Sequence, residues 1–240
     1  MEPVTARPTP EQRLAALAGA ATRAFGRLGY KRTHVADVAA EARVSAGLVY
    51  SYVESKEALF HLVFLYGFGL IDEGRGEGLP PLPLTTPQFA KTLEVIATGL
   101  RKVGGAPRLR AALDEDNPPD ARAELAAIVE ERYAFIERLW PLLAVIERSA
   151  VDLPDLEDFY FTRGRRAHID QLGRYVQRRA ASGHFRPQAD AAVTARLITE
   201  AIVWFAWHRR EDRDASLYDD DLARGAVVTF VCDALVAPGR

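Results

Sequence analysis

Cysteine is nearly absent from this 240-residue chain, because Cys232 is the only one. A single cysteine cannot form an intrachain disulfide, which excludes disulfide scaffolds and cysteine-rich zinc sites and favours a reducing cytoplasm. No apolar run is long enough to span a bilayer, so we expect a soluble globular protein. Residues 1–10 contain no apolar core segment. We therefore expect no signal peptide and interpret these residues as a disordered lead-in.

An excess of positive charge is also missing, since 31 Lys and Arg residues face 33 Asp and Glu residues. This balance argues against a chain that is basic throughout. Residues 1–60 differ from the rest, because they hold 8 basic and 6 acidic residues and the remainder is acidic. Such a distribution is compatible with a small anion-binding head on a larger acidic body.

Motifs for catalysis and metal binding are lacking as well. The chain has no glycine-rich phosphate loop, no Gly-x-Ser-x-Gly turn, no Cys/His nucleophile arrangement and no His-Glu-x-x-His. The five histidines show no paired metal-ligand spacing. We therefore predict that the protein is not an enzyme and that it has no metal site and no cofactor.

Helical periodicity extends along the whole chain and predicts an all-α fold. The first helix carries an apolar stripe and is predicted to end at Gly29. A short second helix is capped by Thr33 or His34. Ser45 caps a third helix, which reaches about Val53. A fourth helix starts after Ser55. These helices predict a helix-turn-helix domain over 11–66, with the connecting helix reaching about residue 73. The first stripe contains Leu14, Leu17, Ala18, Ala21, Phe25 and Leu28.

A larger helical body is predicted to follow a Gly/Pro-rich loop at 74–87. The body covers 85–240, and Pro141 is expected to kink its longest helix. Its last two helices are apolar over such wide arcs that part of each is expected to meet a second chain. Helices are predicted over about 89–103, 107–115, 119–150, 154–182, 190–210 and 218–236.

The third helix presents a small, uncharged outer face. If Val44, Val49 and Val53 point inward, a step of about 100° per residue places Gly47, Tyr50 and Ser51 on the opposite side, flanked by Ala46 and Leu48. Such a face can enter a DNA major groove. Hydroxyl groups there can bond phosphates or base edges, and a methyl group can contact thymine. Lys31, Arg32, Arg43 and Lys56 supply positive charge at the rim.

Two runs of this head, Gly29–Ala39 and Val44–Leu59, resemble the DNA-binding head of the tetracycline-repressor (TetR) family. The resemblance implies an all-helical homodimeric transcription regulator, usually a repressor, that a small molecule bound in the body releases from double-stranded DNA. By the same resemblance, Thr33, His34 and Lys56 would meet phosphates and Tyr50 would contact backbone or base. The candidate DNA-binding residues are Thr33, His34, Arg43, Ser45, Ala46, Gly47, Leu48, Tyr50, Ser51, Tyr52 and Lys56.

The head departs from the family pattern at several positions. His34 stands where Ser or Thr is usual, which weakens the helix cap. Ala46 and Leu48 replace polar residues, so recognition is expected to depend on methyl contacts, His34 or DNA shape. Arg43 replaces a frequent turn glycine and costs about 1 kcal/mol if its backbone is left-handed.

The body is predicted to hold a largely apolar effector, oriented by one or two of Glu147, His168 and Arg165. An arginine-rich stretch at 163–179 is interpreted as solvated surface, with an anionic effector as the alternative. The candidate effector-binding residues are Phe135, Trp140, Glu147, Phe159, Arg165, His168 and Trp204. The candidate dimer-interface residues are Leu197, Ala201, Phe205, Val227, Phe230 and Val231.

Two other functions remain open on the sequence. The head could serve protein interaction in a TetR-like chain that has lost DNA binding, or the body could be an all-helical small-molecule carrier or enzyme. Salt dependence separates the first alternative from DNA binding, because binding to DNA weakens steeply with ionic strength. For the main interpretation we expect a cytoplasmic homodimer, an inverted-repeat operator and no membrane partner.

Overall fold

A computed structural model describes residues 9–71, 81–214, 217 and 219–237. Within these residues the chain is helical and forms no β-strand, only two isolated bridges, which confirms the predicted all-α fold. No helix among them has the length and apolarity needed to cross a membrane. The α-helices are α1 (Pro10–Leu28), α2 (Val35–Glu41), α3 (Ala46–Tyr50), α4 (Lys56–Gly67), α5 (Phe89–Val103), α6 (Pro107–Asp114), α7 (Ala121–Ala150), α8 (Pro154–Glu157), α9 (Ala167–Ala181), α10 (Ala191–Ala206) and α11 (Asp220–Leu235).

The first of two compact units takes in the described residues up to Val103 together with Pro141–Tyr160. The predicted stripe of α1 packs into its core, where Leu14, Leu17 and Phe25 are buried. Phe25 meets Phe60 of α4 edge to face at 5.1 Å between ring centres. Aromatic pairs in this geometry add to the burial of apolar area, so α1 and α4 form a firm base for the short helices between them.

The second unit takes in Gly104–Trp140 and the described residues from Phe161 onward. Helices α9 and α10 pack against each other, and α10 also packs against α11. Arg209, in a 3₁₀ helix that follows α10, donates from Nε to the Phe205 carbonyl at 2.6 Å and pairs with Asp220 at the start of α11. This buried guanidinium therefore joins the end of α10 to α11.

The ends of the head differ from the sequence interpretation. Thr9 and Pro10, which the sequence interpretation assigned to the lead-in, form the start of α1. The Thr9 hydroxyl accepts the Gln12 N–H at 3.3 Å, and Gln12 Oε1 accepts the Thr9 N–H at 2.9 Å. These two bonds form a capping box. Residues 1–8 of the lead-in and 74–80 of the predicted loop lie outside the described part. At the far end of that loop, buried Leu84 donates its N–H to the Tyr52 carbonyl at 2.8 Å.

The long helix predicted over about 119–150 is α7, which contains Pro141 as predicted. One other helix of the body departs from the predicted pattern. The helix predicted over 154–182 is instead α8, then a π-helix at Asp158–Arg166, then α9. A π-helix of this length is rare, and such segments are frequently found at functional sites.

The arginine-rich stretch is not all solvated surface, because Arg179 is fully buried. Its guanidinium binds both carboxylate oxygens of Glu124, at 2.8 and 2.9 Å, and donates to the carbonyls of Glu115 and Ala112 at 2.8 and 2.9 Å. Each of its three nitrogen atoms therefore donates at least one hydrogen bond. The interpretation of Arg179 as a surface residue is wrong, because a guanidinium that is paired with a carboxylate and bonded to carbonyls can be buried between helices.

Candidate nucleic-acid interface

Helices α2 and α3 sit on a small apolar base. Val38 and Ala39 of α2 and Val49 of α3 are buried, as is Val53 just after α3. The predicted inward residues Val49 and Val53 are confirmed, and Val44 is half-buried. The turn between the helices is closed by the Val44 N–H, which donates to the Ala39 carbonyl at 2.9 Å. This packing fixes which face of α3 points out.

Arg43 in this turn has a φ of 57° and is exposed. Its backbone is therefore left-handed, which is the condition under which this position costs about 1 kcal/mol in a residue with a Cβ atom. The same conformation places an arginine at the rim of the α3 face, where it adds positive charge.

Helix α3 offers a smooth, uncharged outer face. Ser45 caps it by accepting the Leu48 N–H at 3.2 Å, Ala46 and Gly47 are exposed, and the Tyr50 side chain is 50% exposed. A Cβ atom on Gly47 would have only Ser45 Oγ near it, at 4.0 Å. Ser51 is also exposed, and its hydroxyl donates to the Leu48 carbonyl at 2.6 Å. The Ser51 oxygen can then act toward a ligand as an acceptor.

Two predicted contact residues are buried and cannot reach a DNA surface from these positions. Thr33 is 0% exposed, and its hydroxyl donates to the Gly29 carbonyl at 2.7 Å. Tyr52 is 9% exposed and lies in the core. The predictions for both side chains are therefore wrong. A helical pattern alone did not reveal that Tyr52 lies beyond the end of α3, where the chain turns inward.

His34 precedes α2 at its exposed start. Its N–H donates to Asp37 Oδ2 at 2.7 Å, so the carboxylate in the first turn caps the helix from within. The side chain of His34 is exposed. The imidazole is therefore accessible at the start of α2, and its contact with a phosphate stays a prediction.

Lys56 lies at the start of α4 beside Tyr30. Its ammonium sits 4.5 Å from the centre of the Tyr30 ring and donates to the carbonyls of Tyr30 and Lys31 at 3.1 and 3.5 Å. An ammonium has three N–H donors, so one remains for a phosphate. The Tyr30 hydroxyl donates to Glu57 at 2.7 Å, and this bond lowers the pKa of the Glu57 carboxyl. The carboxylate is therefore engaged beside the cation.

The predicted dimer residues fall into two groups. Leu197 and Phe230 are 66% and 70% exposed, and Ala201 and Phe205 are half-buried. Val227 and Val231 instead pack inside the chain, so their prediction as interface residues is wrong. Sequence reasoning missed Val193 and Leu222, which are exposed. It also placed Trp204 in the effector group, although the Trp204 ring is partly exposed on the same face of α10 as Leu197.

The predicted effector residues are divided between the two units. Glu147, which accepts the Tyr160 hydroxyl at 3.2 Å, and Phe159 belong to the first unit. The others belong to the second unit, where Trp140 is half-buried and Arg165 pairs with Glu200 at 2.7 Å. Phe135 lies under the guanidinium of Arg132, 4.9 Å from the ring centre.

His168 lies near the same arginine. Burial, together with the positive charge of Arg132, lowers the pKa of the His168 imidazole to about 3. The ring is therefore neutral at pH 7. Phe135, Arg132 and His168 thus combine an aromatic surface, a cation and a neutral hydrogen-bonding ring in one unit.

The depressed pKa of His168 predicts acid sensitivity. In the unfolded chain the imidazole binds a proton below about pH 6.5, whereas in the folded chain it stays neutral down to about pH 3. The unfolded state therefore binds more protons in this window, and stability falls with decreasing pH by at most about 1.4 kcal/mol per unit. Urea unfolding of wild type and His168→Gln between pH 7 and 5 measures this slope.

The His168→Gln variant is expected to lose most of this dependence of unfolding free energy on pH. His34→Gln, at an exposed histidine, is the matched control and should keep it. Equal slopes for wild type and His168→Gln would contradict the assignment.

An open groove of about 1150 Å³ lies elsewhere in the second unit. It contains Arg122, His184, Arg186 and Asp233 but none of the predicted effector residues. Arg122 and Asp233 pair with each other at 2.7 Å across it. Among the described residues, no group of three or more His, Cys, Asp or Glu side chains could hold a metal ion.

Comparisons with known proteins agree with this architecture. Residues 17–63 match the family of bacterial regulatory proteins called tetR, and no curated protein matches the chain. The solved structure of AibR in complex with isovaleryl coenzyme A and operator DNA is 17% identical, with a TM-score of 0.52, and the match covers 91% of this chain and 97% of that chain. A bacterial regulatory protein in the tetR family from Rhodococcus RHA1 is 19% identical, with a TM-score of 0.51 and coverage of 95% and 99%. These two structures share the fold of this chain. The segment that matches the tetR family model contains α2, α3 and most of α4, so the similarity to that family is located in the helix-turn-helix.

Proposed function

We propose that the protein is a homodimeric transcriptional repressor that binds an inverted-repeat operator and is released by a small, largely apolar effector. The observation that carries the proposal is the exposed face of α3, where Ala46, Gly47 and Tyr50 form an uncharged surface between cationic rims. The head is thus shaped for close approach to a groove rather than for a charge-paired protein contact.

Contacts to DNA divide into two classes on this surface. Lys56 and the exposed side chains of Lys31 and Arg43 meet phosphates, which sets affinity and its salt dependence. Tyr50 and the Ala46 methyl group lie toward base edges. Since few hydrogen-bonding groups project from α3, discrimination between sequences depends on methyl contacts, Tyr50 and DNA shape.

The dimer is supported by an apolar stripe on α10 and α11. Val193, Leu197 and Trp204 follow helical spacing on α10, and Leu222 and Phe230 do so on α11. All five are exposed in the single chain, although large exposed apolar patches are uncommon in monomers. A twofold pair of these helices would cover the stripe and place two heads on two half-sites.

The effector site proposed here is the region of Phe135 and His168 in the second unit, with Arg165 as a further polar group. AibR, whose fold is similar, has been crystallised with isovaleryl coenzyme A, an acyl thioester. A ligand that binds the released state better than the DNA-bound state shifts the population by its difference in affinity. DNA must weaken ligand binding by the same factor that ligand weakens DNA binding.

Selection of bound fragments from the genome that encodes the protein tests the proposal. We expect a short inverted repeat to be enriched, and its affinity to fall steeply as salt rises from 50 to 200 mM, by a factor on the order of 10³ for six or more phosphate contacts. Failure to retain any duplex at 50 mM salt would contradict the proposal. Retention of a protein partner with little salt dependence would favour the interaction-module alternative.

A further inference from the structure

The loop between α1 and α2 rests on the end of α7. Asp152, two residues past α7, accepts the backbone N–H of Lys31 on Oδ2 at 3.0 Å. Gly29 is buried against the same helix end, has a φ of 78°, and would place a Cβ atom 2.7 Å from the Arg148 carbonyl oxygen. A close backbone approach at this point therefore requires glycine. All these residues belong to the first unit.

This loop carries part of the cationic rim. Lys31 and Arg32 are exposed, and the loop leads directly into His34 at the start of α2. Two other hydrogen bonds to this loop come from the head itself. Lys56 donates to the Tyr30 carbonyl at 3.1 Å, and the Thr33 hydroxyl donates to the Gly29 carbonyl at 2.7 Å. The bond to Asp152 is thus the contact that ties the middle of the loop to a residue outside the helix-turn-helix.

The Asp152 carboxylate has two effects on DNA binding, one through its negative charge and one through its hydrogen bond. A carboxylate beside a phosphate-binding loop repels DNA, so its charge alone disfavours binding. The oxygen is nevertheless directed at a backbone N–H, where a charged acceptor forms a strong bond. Loss of the acceptor and loss of the charge therefore have opposite expected effects on DNA affinity, which allows the two roles to be separated.

We propose that Asp152 is a positioning residue for DNA binding: its carboxylate fixes the Lys31 backbone so that the side chains of Lys31 and Arg32 meet phosphates. The inference rests on the proposed function, because it concerns the same DNA-binding surface. It adds a residue beyond the segment that matches the tetR family, which ends at residue 63. The turn after α7 then belongs to the DNA-binding machinery as well as to the body.

Three variants of the full-length protein test the proposal by affinity for a selected operator fragment. Asp152→Ala removes the acceptor and is expected to bind about tenfold more weakly, the factor that corresponds to losing one hydrogen bond to a charged group. Asp152→Glu keeps the charge but moves the acceptor, and should also bind more weakly. Asp152→Asn keeps an acceptor oxygen without the charge, and should restore affinity to the wild-type level or above.

Two controls show whether a change in DNA affinity arises from the position of the loop, from the loss of a charge or from the loss of folded protein. Asp155→Ala removes an exposed carboxylate three residues away and should not weaken binding. Thermal unfolding of each variant identifies any that is not folded at the assay temperature; if Asp152→Ala is unfolded, Asp152→Glu and Asp152→Asn decide the question. Wild-type affinity of Asp152→Glu, or equal tightening by Ala and Asn, would overturn the proposal. A wild type that binds no duplex would instead contradict the proposed function.

Discussion

Replacing Phe230 with aspartate is expected to give a monomer whose affinity for the operator is at least about 100-fold below that of the wild type. The side chain is 70% exposed on the apolar stripe of α11, so the substitution does not disturb the core of the single chain. In a twofold dimer it would bury an unpaired charge, which is strongly unfavourable. Without the second chain, each head binds one half-site, and the affinity gained by linking two heads, about 10²–10⁴-fold, is lost.

Sedimentation and light scattering at micromolar concentration measure the assembly directly. Leu197→Asp should have the same effect from α10, since Leu197 is also largely exposed. Leu82→Asp is the matched control, because it places the same charge on an exposed leucine of the first unit and should leave the dimer intact. A monomeric wild type, or a dimeric Phe230→Asp variant, would contradict the proposed interface.

Removing the half-buried carboxylate of Glu124 is expected to cost about 3–5 kcal/mol of unfolding free energy, because it leaves the buried Arg179 guanidinium without its counter-charge. Glu124→Ala also removes the acceptor of the Tyr175 hydroxyl, at 2.9 Å. The loss arises from an unpaired charge and an unpaired donor in the core rather than from a cavity. Urea unfolding gives the difference directly.

Arg178, the neighbour of Arg179 in the chain, provides the control for the loss of unfolding free energy. Arg178→Ala breaks a pair with Asp116 that is open to solvent, so it should cost about 1 kcal/mol or less. The double variant Glu124→Met, Arg179→Met removes both charges and should cost much less than the sum of the single changes. Similar losses for Glu124→Ala and Arg178→Ala would show that Arg179 is not paired inside the protein.

The apolar periodicity predicted much of the head. The stripe of α1, the inward Val49 and Val53, and the outward Tyr50 follow from the helical repeat and the capping residues, which are local properties of the sequence. These features depend on residues close together in the chain, so one sequence was enough to find them.

Features set by distant parts of the chain were not predictable in this way. Arg179 belongs to a basic run, and only the approach of Glu124, 55 residues away, shows why it is buried. Val227 and Phe230 lie on one apolar helix, and the neighbouring helices decide which of them is covered. A pattern of side chains on one helix does not contain this information.

The salt dependence of operator binding by Lys56→Ala tests the central claim most directly. If the head binds DNA with Lys56 on a phosphate, the variant should bind all duplex sequences more weakly, and the slope of log affinity against log salt should fall by about one unit. Lys91→Ala, at an exposed lysine of α5 that pairs with Glu94, should keep the wild-type slope. Wild-type affinity and slope for Lys56→Ala, or equal losses for both variants, would contradict a DNA-binding head built on α3 and the start of α4.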